Sequence, residues 1–185
     1  AQRGVTLTLR LPAQKALAQL LDARYPSSMP AEALVAGVAE RTREPLASVE
    51  PIVLAMLEEL AILGAVRFRR APVQAAAEVS AWPRALAAVR SAPGAALSTG
   101  DAASACNQWH EPVSLTLLES ALLPLLDGAH SHDMLAEHLA AEVRADRLRF
   151  VHNKPLSDPG ALKAFARDQV MLALHALRRK GLLVG

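Results

Sequence analysis

The sequence predicts a mainly α fold with short β-strands, arranged as two similar units joined by an ordered connector. Three observations carry that expectation. Alanine fills 38 of the 185 positions, and it is the strongest helix former because it loses no side-chain entropy on folding. Apolar residues recur at i, i+3, i+4 and i+7 along several stretches, the spacing of one helical face. The first and last thirds of the chain run through the same order of apolar stripes, each closed by a glycine.

The elements follow in order. Val5 to Leu11 alternates apolar and polar residues, the period of a half-buried strand. Pro12 ends it and suits the first position of a helix over 12–23, with Ala16, Leu17, Leu20 and Leu21 on one face. Tyr25 to Ser28 is a break, and 30–40 is a second helix with Leu34, Val35 and Val38 inward. Ser48 is placed as the N-cap of a third helix, with Pro51 in its first turn. Ile52, Val53, Met56, Leu57 and Leu60 form that helix's apolar face, and Gly64 fits the left-handed position past its end. A short strand is expected over 65–69.

Residues 71–112 differ in character. Pro72, Pro83, Pro93 and Pro112 punctuate them, and 92–106 is small and polar, hence loop-like. One helix is expected over 81–90. Both tryptophans, Trp82 and Trp109, fall here, which argues for order. From Ser114 a new apolar stripe runs through Leu115, Leu118, Leu122, Leu123 and Leu126 to Asp127-Gly128. Ser131 caps a helix over 132–143 with Leu135 and Leu139 inward. Residues 144–158 read as an insertion holding a strand at 147–151. Asp158-Pro159 opens the last helix, which reaches about Lys180. Val170, Leu174 and Leu177 line it, Gly181 closes it, and Leu182 to Val184 is a terminal strand.

The repeat is explicit in the residues. Leu20-Leu21-Asp22 matches Leu125-Leu126-Asp127, Leu34 and Val38 match Leu135 and Leu139, and Val53, Leu57, Leu60 and Gly64 match Val170, Leu174, Leu177 and Gly181. Each unit reads helix, turn, helix, turn, long helix, glycine, strand. That order fits a winged-helix unit, with three helices around a small core closed by a short sheet; the alternative is a generic helical-hairpin repeat. The expected organisation is a first winged-helix-like unit over 1–72, a connector over 73–112 and a second unit over 113–185.

Composition excludes several functions. The net charge of +2 leaves no polybasic or acidic tail, and 3% aromatics leave no stacking platform for single strands. One cysteine, Cys106, excludes a disulfide framework and a cysteine-rich zinc site. No apolar run reaches the roughly 18 residues of a membrane span, and no signal peptide opens the chain, so a soluble, cytoplasmic protein is expected. No glycine-rich loop follows a strand, so no dinucleotide or methyl-donor cradle is expected.

Candidate sites are few. A DNA-reading third helix should carry cations, yet that of the first unit offers Glu50, Glu58 and Glu59 and no Lys or Arg. The second offers Lys163, Arg167, Arg178, Arg179 and Lys180, the last three where cations complement a helix C-terminus. His130, His132 and His138 suggest metal spacing, but His132 and His138 fall on different helix faces. Cys106 and His110 could be drawn as nucleophile and base of a small hydrolase, without any oxyanion element; Cys106 reads better as a small buried apolar residue. The most distinctive peptide is Asn107-Gln108-Trp109-His110-Glu111, with polar groups and an aromatic before a helix. Asn107, Trp109, His110 and Glu111, with Arg178, Arg179 and Lys180, make up the candidate interaction surface; the bland alternative for the peptide is a helix-entry motif.

Asn107 to Leu115, and Leu122-Leu123-Pro124-Leu125-Leu126-Asp127-Gly128, resemble the C-terminal part of bacterial class I S-adenosylmethionine-dependent methyltransferases with a regulatory domain. That group includes the rickettsial-type protein lysine methyltransferases. Leu17 to Phe68, closing on Gly64-Ala65-Val66-Arg67-Phe68, is similar to the preceding helical region. The sequence departs from the family pattern at Gln108-Trp109, where Leu-Arg is usual, and in one extra leucine before Asp127. The resemblance implies a non-catalytic accessory module for substrate recognition or regulation. It implies no catalytic, cofactor or metal residue in this chain, and S-adenosylmethionine held by an upstream domain of the parent protein. The implied partners are that catalytic methyltransferase domain and a protein substrate. The rival is a tandem winged-helix DNA-binding transcriptional regulator, disfavoured by the acidic third helix.

Overall fold

The computed structural model describes residues 7–73, 75–91, 103–150 and 158–185. The chain divides into two compact units, Ala1–Val73 and Gln74–Gly185, each with its own apolar core. The fold is mainly helical with short antiparallel strands. No described helix is long and apolar enough to cross a membrane.

Unit 1 is a three-helix cluster: α1 (Pro12–Arg24), α2 (Ala31–Thr42) and α3 (Leu46–Ile62). Pro12 starts α1, and the Gln14 side chain accepts from the backbone N–H groups of Arg10 (3.0 Å) and Leu11 (3.1 Å). Leu17, Leu20, Leu34, Val38, Val49, Val53, Leu57 and Leu60 are buried together, as the helical spacing requires. Helix α3 starts earlier than expected. Pro45 takes the N-cap position, so Ser48 lies inside the first turn and Pro51 inside the helix.

Gly64 sits at φ +71°, past the end of α3. Its N–H donates to Ala61 O (3.0 Å), and Ala65 N–H donates to Leu60 O (2.8 Å). This is the Schellman arrangement, and glycine tolerates it without steric penalty. The strand expected at 65–69 does not form, and the one expected at 5–11 is not seen at 7–11. Residues 7–11 and 65–69 are irregular, and Val5 and Thr6 lie outside the described residues. The segment after Gly64 instead reaches back to the α1–α2 turn. There Val73 N–H donates to Ser28 Oγ (2.7 Å) and Ser28 N–H to Val73 O (3.4 Å).

Unit 2 contains β1 (Arg84–Ala85), α4 (Ala87–Arg90), β2 (Ser104–Cys106), β3 (Pro112–Ser114), α5 (Leu117–Leu122), a 3-10 turn (Leu123–Leu125), α6 (His132–Arg144), α7 (Pro159–Arg179) and β4 (Leu183–Val184). Side-chain caps set the helix starts. Thr116 and Glu119 exchange bonds in a capping box at α5, Ser131 Oγ accepts from Met134 N–H at α6, and Asp158 Oδ2 accepts from Ala161 N–H (2.7 Å) at α7. Leu122, Leu123, Leu126, Leu135, Leu139, Val170, Leu174 and Leu177 bury one continuous core. Gly181, also at φ +71°, ends α7 as Gly64 ends α3: Gly181 N–H bonds Arg178 O (2.9 Å) and Leu182 N–H bonds Leu177 O (3.1 Å).

Of the segment expected as a connector, 73–112, the described residues 75–91 and 103–112 pack as part of unit 2, and 92–102 lie outside the described residues. Strand β1 pairs antiparallel with β4, Arg84 opposite Val184 and Ala85 opposite Leu183. Strand β2 pairs with β3, Ser104 opposite Ser114 and Cys106 opposite Pro112. Ala76, Ala85, Val89, Ala103 and Ala105 join the core. The single helix expected over 81–90 is replaced by β1 and a four-residue helix, because Pro83 lacks an N–H and β4 offers Ala85 and its neighbours a ladder. Cys106, expected to be buried, is exposed on β2. The strand expected over 147–151 is not seen at 147–150, and 151–157 lie outside the described residues.

Candidate interaction surface

The peptide Asn107–Glu111 is the loop of the β2–β3 hairpin, not a helix entry. Asn107 organises it. Its side chain is buried, and Oδ1 accepts from Trp109 N–H (2.8 Å) and Glu111 N–H (3.0 Å). Its backbone N–H donates to Glu111 O, its carbonyl accepts from His110 N–H (both 3.0 Å), and Nδ2 donates to Glu111 Oε2 (3.3 Å). An asparagine side chain can replace backbone groups in a tight loop in this way. His110 sits at φ +58°, the left-handed region, and is exposed. Trp109 is half-buried.

The hairpin loop and the basic end of α7 are about seventy positions apart in sequence, yet the fold brings them to one corner. Gln108 N–H donates to Gly181 O (3.3 Å) and Gln108 Nε2 to Leu183 O (3.1 Å). Two of the three cations serve the fold. Arg178 Nη1 donates to Ala77 O (2.7 Å). Lys180 Nζ donates to both oxygens of Glu119 (2.6 Å each) and to Ser114 O (2.9 Å). The Glu119 side chain is only 3% exposed. Arg179 is exposed. Of the candidate residues here, His110 and Arg179 are exposed and Trp109 is half-buried, while Asn107, Arg178 and Lys180 bond within the fold. Gln108 stood inside the candidate peptide without a named role, and Thr116 and Glu119 were not among the sequence candidates. The Thr-x-x-Glu spacing at 116–119 is the signal that identifies the cap.

The other candidates separate. His130 Nδ1 bonds Asp127 Oδ1 (2.9 Å), His132 Nε2 meets Ser80 O (2.8 Å), and His138 lies 4.0 Å from Glu142. The bond from His130, with Ala129 N–H, holds the Asp127 carboxyl below its ordinary value. Among the described residues no group of three or more His, Cys, Asp or Glu side chains could hold a metal ion. On α7, Lys163 pairs with Glu137 (2.9 Å) and Arg167 with Asp133 (3.5 Å). On α3, Glu50, Glu58 and Glu59 are exposed.

The family described as PKMT, C-terminal winged helix domain, matches residues 83–182, more than half of the chain. The chain belongs to this family. The match begins at Pro83, beside β1, and so takes in β1, the β2–β3 hairpin and α5–α7; it ends at Leu182, just before β4. PKMT2 from Rickettsia typhi shares the fold: one structure superposes with TM-score 0.76 at 21% identity, covering 94% of this chain and 35% of that one. A second, of PKMT2 in complex with AdoHcy, gives TM-score 0.79 at 21% identity, covering 97% of this chain and 35% of that one. The PKMT-like chain thus spans about a third of the length of that relative. No curated protein matches the sequence.

Proposed function

We propose that this chain is a non-catalytic accessory region of an S-adenosylmethionine-dependent methyltransferase acting on protein. It positions the protein substrate or the catalytic domain and does not itself hold the cofactor. The observation that carries the reading is the family match over 83–182, set beside a structural likeness that spans only 35% of PKMT2. Local chemistry supports it. The described strands are two or three residues long and antiparallel. A nucleotide cradle needs a parallel strand running into a glycine-rich turn and a helix. Trp109, His110 and Arg179 are the proposed contact residues, because an aromatic and an arginine on a rigid corner suit protein recognition. Duplex DNA is the weaker candidate partner: α3 has no Lys or Arg, and several α7 cations are paired internally.

Calorimetric titration with S-adenosylmethionine tests this. The chain alone should give no binding heat, and a protein joining it to the upstream catalytic domain should bind the cofactor and transfer methyl groups. Tight binding to the chain alone would overturn the non-catalytic reading. Joint replacement Trp109→Ala and Arg179→Glu should slow methylation of protein substrate and leave cofactor affinity unchanged.

A further inference from the structure

A second surface lies in unit 1, outside the family-matched residues, and its chemistry stands independently of the methyltransferase reading. A cleft of about 380 Å³ opens between the α1–α2 turn and the segment that follows Gly64. Its floor is aliphatic: Leu34 and Leu57 from the core, with Leu21, Met29 and Val66 partly buried beside them. Its rim is basic. Arg24 stands on one side, and Arg67, Arg69 and Arg70 on the other. Among the described residues lining it there is no Asp or Glu. Phe68, between two of the arginines, is 67% exposed.

We propose that this cleft docks an extended acidic peptide segment that places an apolar side chain on the aliphatic floor. The volume falls within the range of small-ligand pockets, roughly 300–1,000 Å³, which suits an anchor side chain and not a folded domain. Arginine pairs with carboxylates in a planar, two-bonded geometry, so Arg24 and Arg70 beside an apolar slot suit a carboxylate-rich chain. The walls are set in advance. The Gly64 turn reverses the chain, and the paired bonds between Ser28 and Val73 pin its far end. Preorganisation of this kind lowers the ordering cost of binding. Nucleic acid would also seek the arginines, but the floor is aliphatic, with Phe68 the one aromatic among the described lining residues, and sequence-tolerant strand binding relies on several stacked aromatics.

Fluorescence anisotropy of the full chain with a short fluorescein-labelled peptide alternating Glu and Leu tests the proposal. Saturable binding is expected, weakened about tenfold or more by Arg24→Glu with Arg70→Glu and about fivefold by either alone, and no more than about twofold by Lys15→Glu, the same charge change as either single reversal but on an exposed residue outside the cleft. Phe68→Ala alters an exposed side chain, keeps the fold, and should also weaken binding. A peptide with Ser in place of Leu should bind poorly, and one with Lys in place of Glu not at all. Equal loss with Lys15→Glu, equal binding of the Ser peptide, or no saturation by about 1 mM would overturn the groove. Tighter binding of an oligothymidylate, abolished by the Arg24 and Arg70 reversals, would replace the peptide with a nucleic acid.

Discussion

Lys180→Met should destabilise unit 2 far more than a surface lysine would. The ammonium has three protons, and the structure gives each an acceptor: the two Glu119 oxygens at 2.6 Å and Ser114 O at 2.9 Å. Glu119 Oε2 also caps α5 by accepting from Thr116 N–H at 2.6 Å. Removing the cation leaves a carboxylate, 3% exposed, with that single backbone donor. Breaking a buried pair from one side costs about 3–5 kcal/mol. The Lys180 side chain is 28% exposed, so water can reach the vacated position, and the cost falls to about 2–4 kcal/mol. A domain on the order of 100 residues then melts about 8–16 °C lower.

Urea unfolding followed by tryptophan fluorescence isolates the effect, since Trp82 and Trp109 both lie in unit 2 while the single tyrosine, Tyr25, lies in unit 1. Glu119→Gln combined with Lys180→Met keeps an acceptor for Thr116 and removes the stranded charge. The double variant should regain about 1–3 kcal/mol over Lys180→Met alone. A loss below about 0.5 kcal/mol for Lys180→Met, or no recovery in the double variant, would show that the pair behaves as an ordinary surface contact and would refute the reasoning.

Asn107→Ala removes the acceptor of two loop N–H groups and should cost about 2 kcal/mol by the same fluorescence assay; Asn107→Asp retains Oδ1 but sets a buried carboxylate against Glu111 in place of Nδ2, so it too should destabilise at neutral pH. Gly64→Ala meets no atom within 4 Å, so its cost is the φ of +71° alone; about 1 kcal/mol is expected, read as faster amide exchange in α3. The His130 bond, followed by Ala129 N–H, holds the folded Asp127 carboxyl below 3.8. A depressed folded value contributes stability above the unfolded value and loses it as pH falls through the folded one. The stability gap between wild type and Asp127→Asn should therefore be full above pH 3.8 and narrow below it in urea titrations repeated across pH. A fragment starting at residue 113 should fail to give dispersed amide NMR spectra, and one starting at 74 should succeed, because Ala76, Ala85, Val89, Ala103 and Ala105 belong to the core of unit 2.

The helices were legible because their signals are long. The apolar stripes of Val53–Leu60 and Val170–Leu177 span about two turns each, and Gly64 takes the left-handed position expected of it, with Gly181 closing α7 in the same way. The strands were not, because two- or three-residue strands such as 84–85 and 183–184 are too short to show a period. The alternating run at 7–11 shows the converse error: periodicity marks a strand only where a partner edge exists. Trp109 and His110 were singled out by their unusual peptide, and the fold places that peptide in a hairpin loop. The joining of that peptide to α7 through Gln108 was hidden, because hydrogen bonds across about seventy positions leave no spacing to read. The inward use of Arg178 and Lys180 was hidden for the same reason. A cation at a helix end reads as a dipole partner until its acceptors are placed.

Both units share the glycine turn, yet among the described residues only unit 2 carries a sheet. After Gly64 and after Gly181 the backbone leaves the helix through the same pair of bonds. In unit 2 the chain then meets Arg84 and Ala85, and the residues beyond Gly181 become β4. In unit 1 the departing segment bonds the α1–α2 turn at Ser28, so it stays irregular and leaves the arginine-rimmed cleft open. The same exit thus has two outcomes, set by what the earlier chain supplies: a strand in unit 2, which fixes the corner bearing Trp109 and Arg179, and a turn in unit 1, which shapes a groove.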